Sequence, residues 1–248
     1  MPHDHFIQCD HDPLLMCLSY LVSVLGSFTA LQLAIAIPQA STGRQRWAAI
    51  ASAAAAMGGG AIWAMHFIAM LACRMDLQVS YDVGITALSA GIGIASCMLG
   101  LAVAGTGVFH WTKLAIAGTC MGLGVTGMHY TGMAAMRMAA HTQYDVSLVV
   151  ASALIAVVAS TVALWLAFNL RGVWQMLGSA LVMGVAVCGM HYTGMRAATF
   201  AHDANAWVAG GLSGTNLGMG IFAVTTMLLA VVLSTSLLRH RQRAQVQI

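Results

Sequence analysis

The sequence predicts an all-α protein, a seven-transmembrane helix bundle built from internal two-helix repeats. Of its 248 residues, 60% are hydrophobic and only 7% are charged, whereas a soluble domain carries about 25% charged residues. The apolar residues form several long stretches, and one membrane span needs about 20 of them. A histidine motif also recurs three times along the chain. This composition excludes an ordinary soluble enzyme and a nucleic-acid-binding protein.

Polar residues divide the chain into seven apolar segments, each predicted to be a helix because a helix satisfies its own backbone groups in lipid. The segments lie near 13–37, 47–73, 83–108, 112–136, 146–170, 173–199 and 209–238. The short gaps between them make neighbouring helices antiparallel. We therefore expect an outer tail at 1–12, one seven-helix domain at 13–238, and a basic tail at 239–248.

The charged residues predict which way the bundle faces. One set of loops and ends carries seven basic residues and no acid: Arg44, Arg46, Lys113, Arg171, Arg239, Arg241 and Arg243. The other set carries every acid of the chain with three arginines: Asp4, Asp10, Asp12, Asp76, Asp82, Asp145 and Asp203, with Arg74, Arg137 and Arg196. Basic residues favour the cytoplasmic side. The amino terminus is thus predicted outside and the carboxyl terminus in the cytoplasm.

The repeated motif places a histidine late in the second, fourth and sixth segments. The copies read Met65-His66-Phe67-Ile68-Ala69-Met70, Met128-His129-Tyr130-Thr131-Gly132-Met133 and Met190-His191-Tyr192-Thr193-Gly194-Met195. The histidines are 63 and 62 residues apart, so the period is two helices. Because these three segments run in the same direction, the histidines are predicted at one depth in the outer half of the bilayer.

The spacing around each histidine predicts a shared face. A residue four positions on lies on the same side of a helix, which brings Met70, Met133 and Met195 beside the imidazoles. Glycines seven positions earlier, Gly59, Gly122 and Gly184, fall on that face too, where small residues let helices approach closely. The sequence thus predicts a layer of imidazole and thioether facing into the bundle.

At these motifs the chain resembles the MHYT family of bacterial membrane sensor domains. The four-letter motif is intact at 128–131 and 190–193, and the first copy departs from it with Phe67 and Ile68. The resemblance covers the chain from the first segment to the seventh. It implies a sensor whose motif residues bind copper and detect oxygen, carbon monoxide or nitric oxide. It also implies a cytoplasmic output in cyclic-di-GMP signalling, either attached or as a partner.

Imidazole with thioether is a soft ligand set that suits Cu(I). We rank His66, His129 and His191 first as ligands, and Met70, Met133 and Met195 second. Met65, Met128 and Met190 point about 100° away from their histidines and rank third. Tyr130 and Tyr192 could orient an imidazole or anchor the interface. Zinc and haem stay open as alternatives to copper.

Three other uses of these residues compete with a sensor. Histidines can simply bridge membrane helices through hydrogen bonds. A zinc-dependent seven-span hydrolase would need a general base near the metal, yet no acidic residue falls mid-span beside a histidine. A copper-handling or transport protein would not need such an acidic residue. We expect no catalysis from residues 1–248, leave an oligomer open, and count the lipid bilayer, a small gas and an output partner as its partners.

The cysteines and the outer loops give weaker signals. Cys9 and Cys73 are the two cysteines near the predicted outer side, and a disulfide between them is one open arrangement. No Lys or Arg precedes the first segment, so a cleavable signal peptide is not indicated. The histidines of the outer tail could collect metal ions, although a flexible tail of mixed polar residues is the preferred explanation. Arg74 and Arg137 are predicted to pair with Asp82 and Asp145 across the outer loops.

Overall fold

The computed structural model describes residues 6–7, 9–105, 107, 110–170, 172–203, 210–227, 230 and 234. Most of these residues are helical. The helices are α1 (Pro13–Ala34), α2 (Ala36–Gln39), α3 (Gly43–Ala54), a π-helix (Ala55–Trp63), α4 (Ala64–Ala72), α5 (Val83–Ala104), α6 (Trp111–Ala134), α7 (Val146–Asn169), α8 (Val173–Ala197) and α9 (214–227). The predicted tail 239–248, residues 1–5, Arg171 and most of the end of the seventh segment lie outside the described residues.

Five continuous helical stretches are long and apolar enough to cross a membrane. They are Pro13–Gln39, Gly43–Ala72, Val83–Ala104, Val146–Asn169 and Val173–Ala197. Helix α6 is also long, but Lys113 and its many glycines and threonines lower its mean hydropathy. The described chain is therefore a multi-pass membrane protein with five such spans, and the predicted count of seven rests on α6 and α9.

Three aspartates start the first helix of each predicted repeat. Asp12 accepts hydrogen bonds from the backbone N–H groups at the start of α1, Asp82 does so for α5, and Asp145 for α7. Such a cap satisfies donors that the first helical turn leaves unpaired. The helices of the sequence prediction thus begin one residue after these acids.

Eight short strands, which the sequence interpretation did not predict, cover one end of the bundle. They are β1 (Phe6–Ile7), β2 (Asp10–His11), β3 (Cys73–Arg74), β4 (Ser80–Tyr81), β5 (Met136–Arg137), β6 (Ala140–Tyr144), β7 (Ala198–His202) and β8 (Leu212–Ser213). They form sheets of order β1-β7-β6, β2-β3 and β5-β4-β8. We call this the strand end. Residues 9–12 of the tail are therefore held in place here, contrary to a flexible tail.

The same backbone closure occurs three times at the strand end. The N–H of each capping aspartate donates to a carbonyl six residues after a motif histidine. The pairs are Asp12 with Ala72 at 2.8 Å, Asp82 with Ala135 at 2.8 Å, and Asp145 with Ala197 at 2.9 Å. Each closure joins the first helix of a pair to the second helix of the same pair.

The arginine pairs follow these closures and correct the sequence prediction. Arg74 pairs with Asp12, and Arg137 pairs with Asp82, so each arginine bonds the acid before its helix instead of the acid after it. The reason is the strand register, because β3 pairs with β2 and β5 pairs with β4.

The long helices form a ring in which histidine-bearing helices alternate with helices that carry no motif. Along the ring α1, the π-helix, α5, α6, α7 and α8 contact their neighbours in order, and α8 returns to α1. Helices α4, α6 and α8 each contact the other two. Their motif residues therefore meet at the centre of the bundle, near the strand end.

Candidate metal centre

The three motif histidines meet at the centre. The Nδ1 atom of His66 lies 3.0 Å from Nδ1 of His191 and 3.1 Å from Nδ1 of His129. The candidate ligand atoms of all three lie within 4.8 Å of one another. Each side chain is at most 1% exposed. The predicted convergence of the three imidazoles is thus present in the structure.

The imidazoles turn one nitrogen inward and one outward. Their Nδ1 atoms face one another, whereas the three Nε2 atoms are buried with no hydrogen-bond partner among the described residues. A neutral imidazole carries one N–H and one lone pair, so the protons of three converging Nδ1 atoms cannot satisfy every contact. A cation among the Nδ1 atoms would relieve this conflict, since each nitrogen would then direct a lone pair at it.

Two motif glycines make room for the rings. A Cβ atom on Gly132 would overlap Nε2 of His66, and one on Gly194 would overlap Nε2 of His129. Gly132 lies three residues after His129, and Gly194 three residues after His191. Each glycine therefore belongs to the helix pair that follows the pair of the histidine it accommodates. The sequence interpretation gave these glycines no role beyond their place in the repeated motif, and their repetition three residues after His129 and His191 was the available signal.

The glycines seven residues before each histidine have a different neighbour from the predicted one. They allow close packing, but toward outer helices: Gly59 lies against Ile94, Gly122 against Val157, and Gly184 against Val24. The expectation that they line the histidine face is therefore wrong. Seven residues fall about 20° short of two full turns, and between Gly59 and His66 the π-helix at Ala55–Trp63 changes the angular spacing further.

Aromatic side chains link the helix pairs around the centre. The residue after each histidine packs edge-on against a residue directly before a capping aspartate of the next pair. The ring pairs are Phe67 with Tyr81 at 6.0 Å, Tyr130 with Tyr144 at 5.4 Å, and Tyr192 with His11 at 5.6 Å. Tyr130 also shares a 2.9 Å hydrogen bond with Ser152. Tyr130 and Tyr192 thus contact both a motif histidine and the strand end.

The six motif methionines are all buried. Met70, Met133 and Met195 are at most 6% exposed and belong to the buried core. Among the methionines that precede the histidines, Met128 lies beside Gly93 of α5 and Met190 lines a small cavity. Met65 is fully buried. The ranking of these methionines as ligands stays a prediction.

The amino-terminal segment covers the centre from the strand end. A disulfide joins Cys9 to Cys73, whose Cα atoms are 5.3 Å apart, so the arrangement that the sequence left open is present. Cys73 follows α4 directly and pairs with His11 in the β2–β3 ladder. The disulfide therefore holds His11 near Tyr192 and the buried triad.

The chain is similar in sequence to known signalling proteins. Residues 59–117 and 122–180 match the MHYT family, described as a bacterial signalling protein N-terminal repeat. The chain is 38% identical to the bifunctional diguanylate cyclase/cyclic di-GMP phosphodiesterase MucR of Pseudomonas aeruginosa, over 96% of this chain and 35% of MucR. It is 36% identical to the cyclic di-GMP phosphodiesterase NbdA of the same organism, over 79% of this chain and 26% of NbdA.

A third relative is the signaling protein YkoW of Bacillus subtilis, 30% identical over 79% of this chain and 25% of YkoW. No solved structure matches the chain. The chain spans about a third of the length of MucR and about a quarter of the other two. It covers only their amino-terminal sensor portion, which confirms the prediction of a sensor domain that is not itself an enzyme.

Proposed function

The chain belongs to the MHYT family of bacterial membrane signalling proteins, and from this premise we propose that His66, His129 and His191 bind one copper ion that detects a diatomic gas or a redox signal. The signal passes to a cytoplasmic output that makes or degrades cyclic di-GMP, the activities for which the relatives MucR and NbdA are named. The proposal combines a metal centre, a ligand and an output.

The observation that carries the proposal is the convergence of three buried Nδ1 atoms at 3.0 and 3.1 Å. Nitrogen ligands about 2.0–2.1 Å from one ion lie about 3.3–3.6 Å apart when three of them share it. Nδ1 of His66 needs to move only a few tenths of an ångström from each of the other two Nδ1 atoms to reach that spacing, and the candidate ligand atoms of all three histidines already lie within 4.8 Å of one another. A haem would have to fit its macrocycle between imidazoles that already pack against one another.

The buried thioethers favour copper over zinc. Met70, Met133 and Met195 lie in the buried core, each one helical turn after a histidine of the triad, and thioethers prefer Cu(I). A reduced copper ion with an open position supplies affinity for dioxygen, carbon monoxide or nitric oxide. The imidazoles hold it by their Nδ1 atoms, and the surrounding apolar core keeps bulk water away from it.

The proposal includes seven membrane helices in three two-helix repeats plus α9, with the strand end outside. The equivalent backbone closures at Asp12, Asp82 and Asp145 support the repeat. The Cys9–Cys73 disulfide at the strand end supports an oxidising outer compartment. The acids of the described residues lie at that end too, consistent with basic residues in the cytoplasm of a bacterial inner membrane.

Helix α9 connects the centre to a downstream output. Leu217 and Ile221 of α9 are 3% and 2% exposed, and Gly214 and Gly218 lie against Leu71 of α4. Leu71 lies five residues after His66 on the same helix. A displacement of His66 when the centre binds its ligand would therefore reach α9 through one helix contact.

The experiment that tests the proposal is element analysis with absorption spectroscopy on the detergent-purified chain. We expect copper, a spectrum that changes between oxidised and reduced protein, and a further change when carbon monoxide is added to the reduced form. Zinc alone, haem absorption, or protein without metal after growth with added copper would overturn the assignment.

A further inference from the structure

A small apolar cavity lies directly beneath the triad. Four residues before each histidine, toward the end opposite the strands, Ile62, Val125 and Val187 line it. Eight or nine residues before each histidine, a second layer lines it too, consisting of Met57, Met121 and Met183. The cavity has a volume of about 30 Å³, and about 10–15 Å³ on this measure holds one water. It is therefore large enough for one or two diatomic molecules.

The cavity adjoins a groove on the outer surface between α7 and α8. Exposed side chains of both helices line the groove, among them Leu154, Val158 and Val182. Three residues line both the groove and the cavity: Ala159, Met183 and Ala186. The wall between the surface and the cavity is thus two alanine methyls and one flexible thioether.

We propose that small uncharged molecules dissolved in the bilayer enter between α7 and α8, pass Met183, and occupy this cavity before they reach the triad. The inference rests on the proposed function, because it names the route by which a diatomic ligand would arrive. It assigns roles to Ala159, Met183 and Ala186 that lie outside the histidine motif.

The chemistry of the lining selects such a molecule. Apart from Ser27 and Ser160, the residues around the cavity are alanine, valine, isoleucine and methionine, so an ion would lose its hydration without replacement. The hydroxyl of Ser27 is buried with no partner among the described residues, which leaves one donor for a diatomic guest. A stably bound water would need about two to four polar hydrogen-bond partners.

The strand end is the less suitable entrance for the same molecule. The Phe67–Tyr81, Tyr130–Tyr144 and Tyr192–His11 ring pairs surround the triad there. Above them the paired strands and the disulfide tie the segments together. Diatomic gases dissolve better in hydrocarbon than in water, so an opening toward lipid meets the higher concentration of ligand.

Dissolved oxygen is the probe for this route, because it is paramagnetic and speeds the relaxation of nearby nuclei. The full chain, carrying ¹³C-methyl methionine and freed of metal by a chelator, is measured in nanodiscs under nitrogen and then under oxygen. Met57, Met121, Met183 and Met190 line the cavity. Met65 and Met128 are equally buried, at 0% exposure, and do not line it.

We expect oxygen to enhance the relaxation of the four cavity methyls several-fold more than that of Met65 and Met128. Ala186→Leu and Ala159→Leu should each reduce the enhancement at Met57 and Met121, whereas Met183→Ala should increase it. Ala95→Leu is the matched control, because Ala95 is exposed at the middle of α5 away from both the groove and the cavity.

Equal enhancement at all six buried methyls, or equal effects of Ala186→Leu and Ala95→Leu, would overturn the route. Unchanged Met65 and Met128 chemical shifts identify the variants that fold. Since this test needs no bound metal, its failure is separate from that of the copper proposal. If oxygen entered the cavity but no copper bound at the triad, only the copper proposal would be wrong.

Discussion

The imidazole of His66 lies directly over Gly132, so that a Cβ atom at this position would overlap its Nε2 atom. His129 has the same relationship to Gly194. Each motif glycine therefore accommodates the histidine of the preceding helix pair, and the motif encodes a contact between helix pairs as well as a ligand.

Adding one methyl group tests this packing. Gly132→Ala and Gly194→Ala should each displace an imidazole, lower stability by about 1–3 kcal/mol through overpacking, and weaken metal binding. Gly127→Ala and Gly189→Ala are matched controls on the same two helices, because a Cβ there meets no atom within 4 Å. Thermal unfolding in detergent and a copper titration of all four variants provide the comparison. If Gly132→Ala behaved like Gly127→Ala in both, the packing relationship would be wrong.

The hydrogen bond between Tyr130 and Ser152 should stabilise the contact of α6 with α7. Tyr130→Phe and Ser152→Ala are each expected to cost about 0.5–1.5 kcal/mol. The double variant should cost less than the sum of the two, because both remove the same bond. Strictly additive losses in unfolding free energy would mean that the two side chains do not interact.

Stability should fall in acid through Asp82. Hydrogen bonds from the Ile85 backbone N–H and the Arg137 guanidinium hold the pKa of Asp82 below its ordinary value of 3.8. The contribution of ionised Asp82 to folding stability is therefore fully present above pH 3.8, and it is lost as the pH falls through the lower pKa of the folded state. Asp82→Asn should lower the melting temperature at neutral pH, and the difference from wild type should shrink in acid.

The control for Asp82→Asn is Asp76→Asn, since Asp76 is an exposed acid of the same loop. Its substitution should change the melting temperature little at any pH. A difference between wild type and Asp82→Asn that grew as the pH fell would contradict the assigned role.

Thiol labelling tests the disulfide and the orientation together. On intact cells a membrane-impermeant maleimide should label more protein after a reductant opens Cys9–Cys73 than before. The Cys9→Ser/Cys73→Ser variant keeps the four free cysteines, Cys17, Cys97, Cys120 and Cys188, and should show no such increase. Equal increases in both proteins would exclude Cys9 and Cys73 as the source of the added labelling. A reductant effect seen only after cell lysis would mean that the bundle has the opposite orientation.

The sequence predicted the features that repeat along it. Three histidines at a period of two helices were enough to predict their common depth, and the polar residues between the apolar segments marked where the helices begin. The apolar stretches predicted the helices because lipid leaves the backbone few alternatives.

Contacts that depend on the order of helices around the ring could not be read in this way. The arginines pair with the preceding acid because strand register, which two-residue strands do not encode, decides it. The π-helix at Ala55–Trp63 reads as ordinary apolar helix, and periodicity alone does not distinguish the two. The Cys9–Cys73 disulfide could not be predicted with certainty from the sequence, because it depends on how the tail folds onto the end of α4.

Copper stoichiometry in single histidine variants tests the shared centre most directly. Purified wild type and His141→Ala, which changes an exposed histidine of β6, should each bind a single copper ion per chain. Because three imidazoles that meet at 3.0 and 3.1 Å would hold that ion together, His66→Ala, His129→Ala and His191→Ala should each lose most of it. Unchanged copper in His129→Ala and His191→Ala would contradict a common centre.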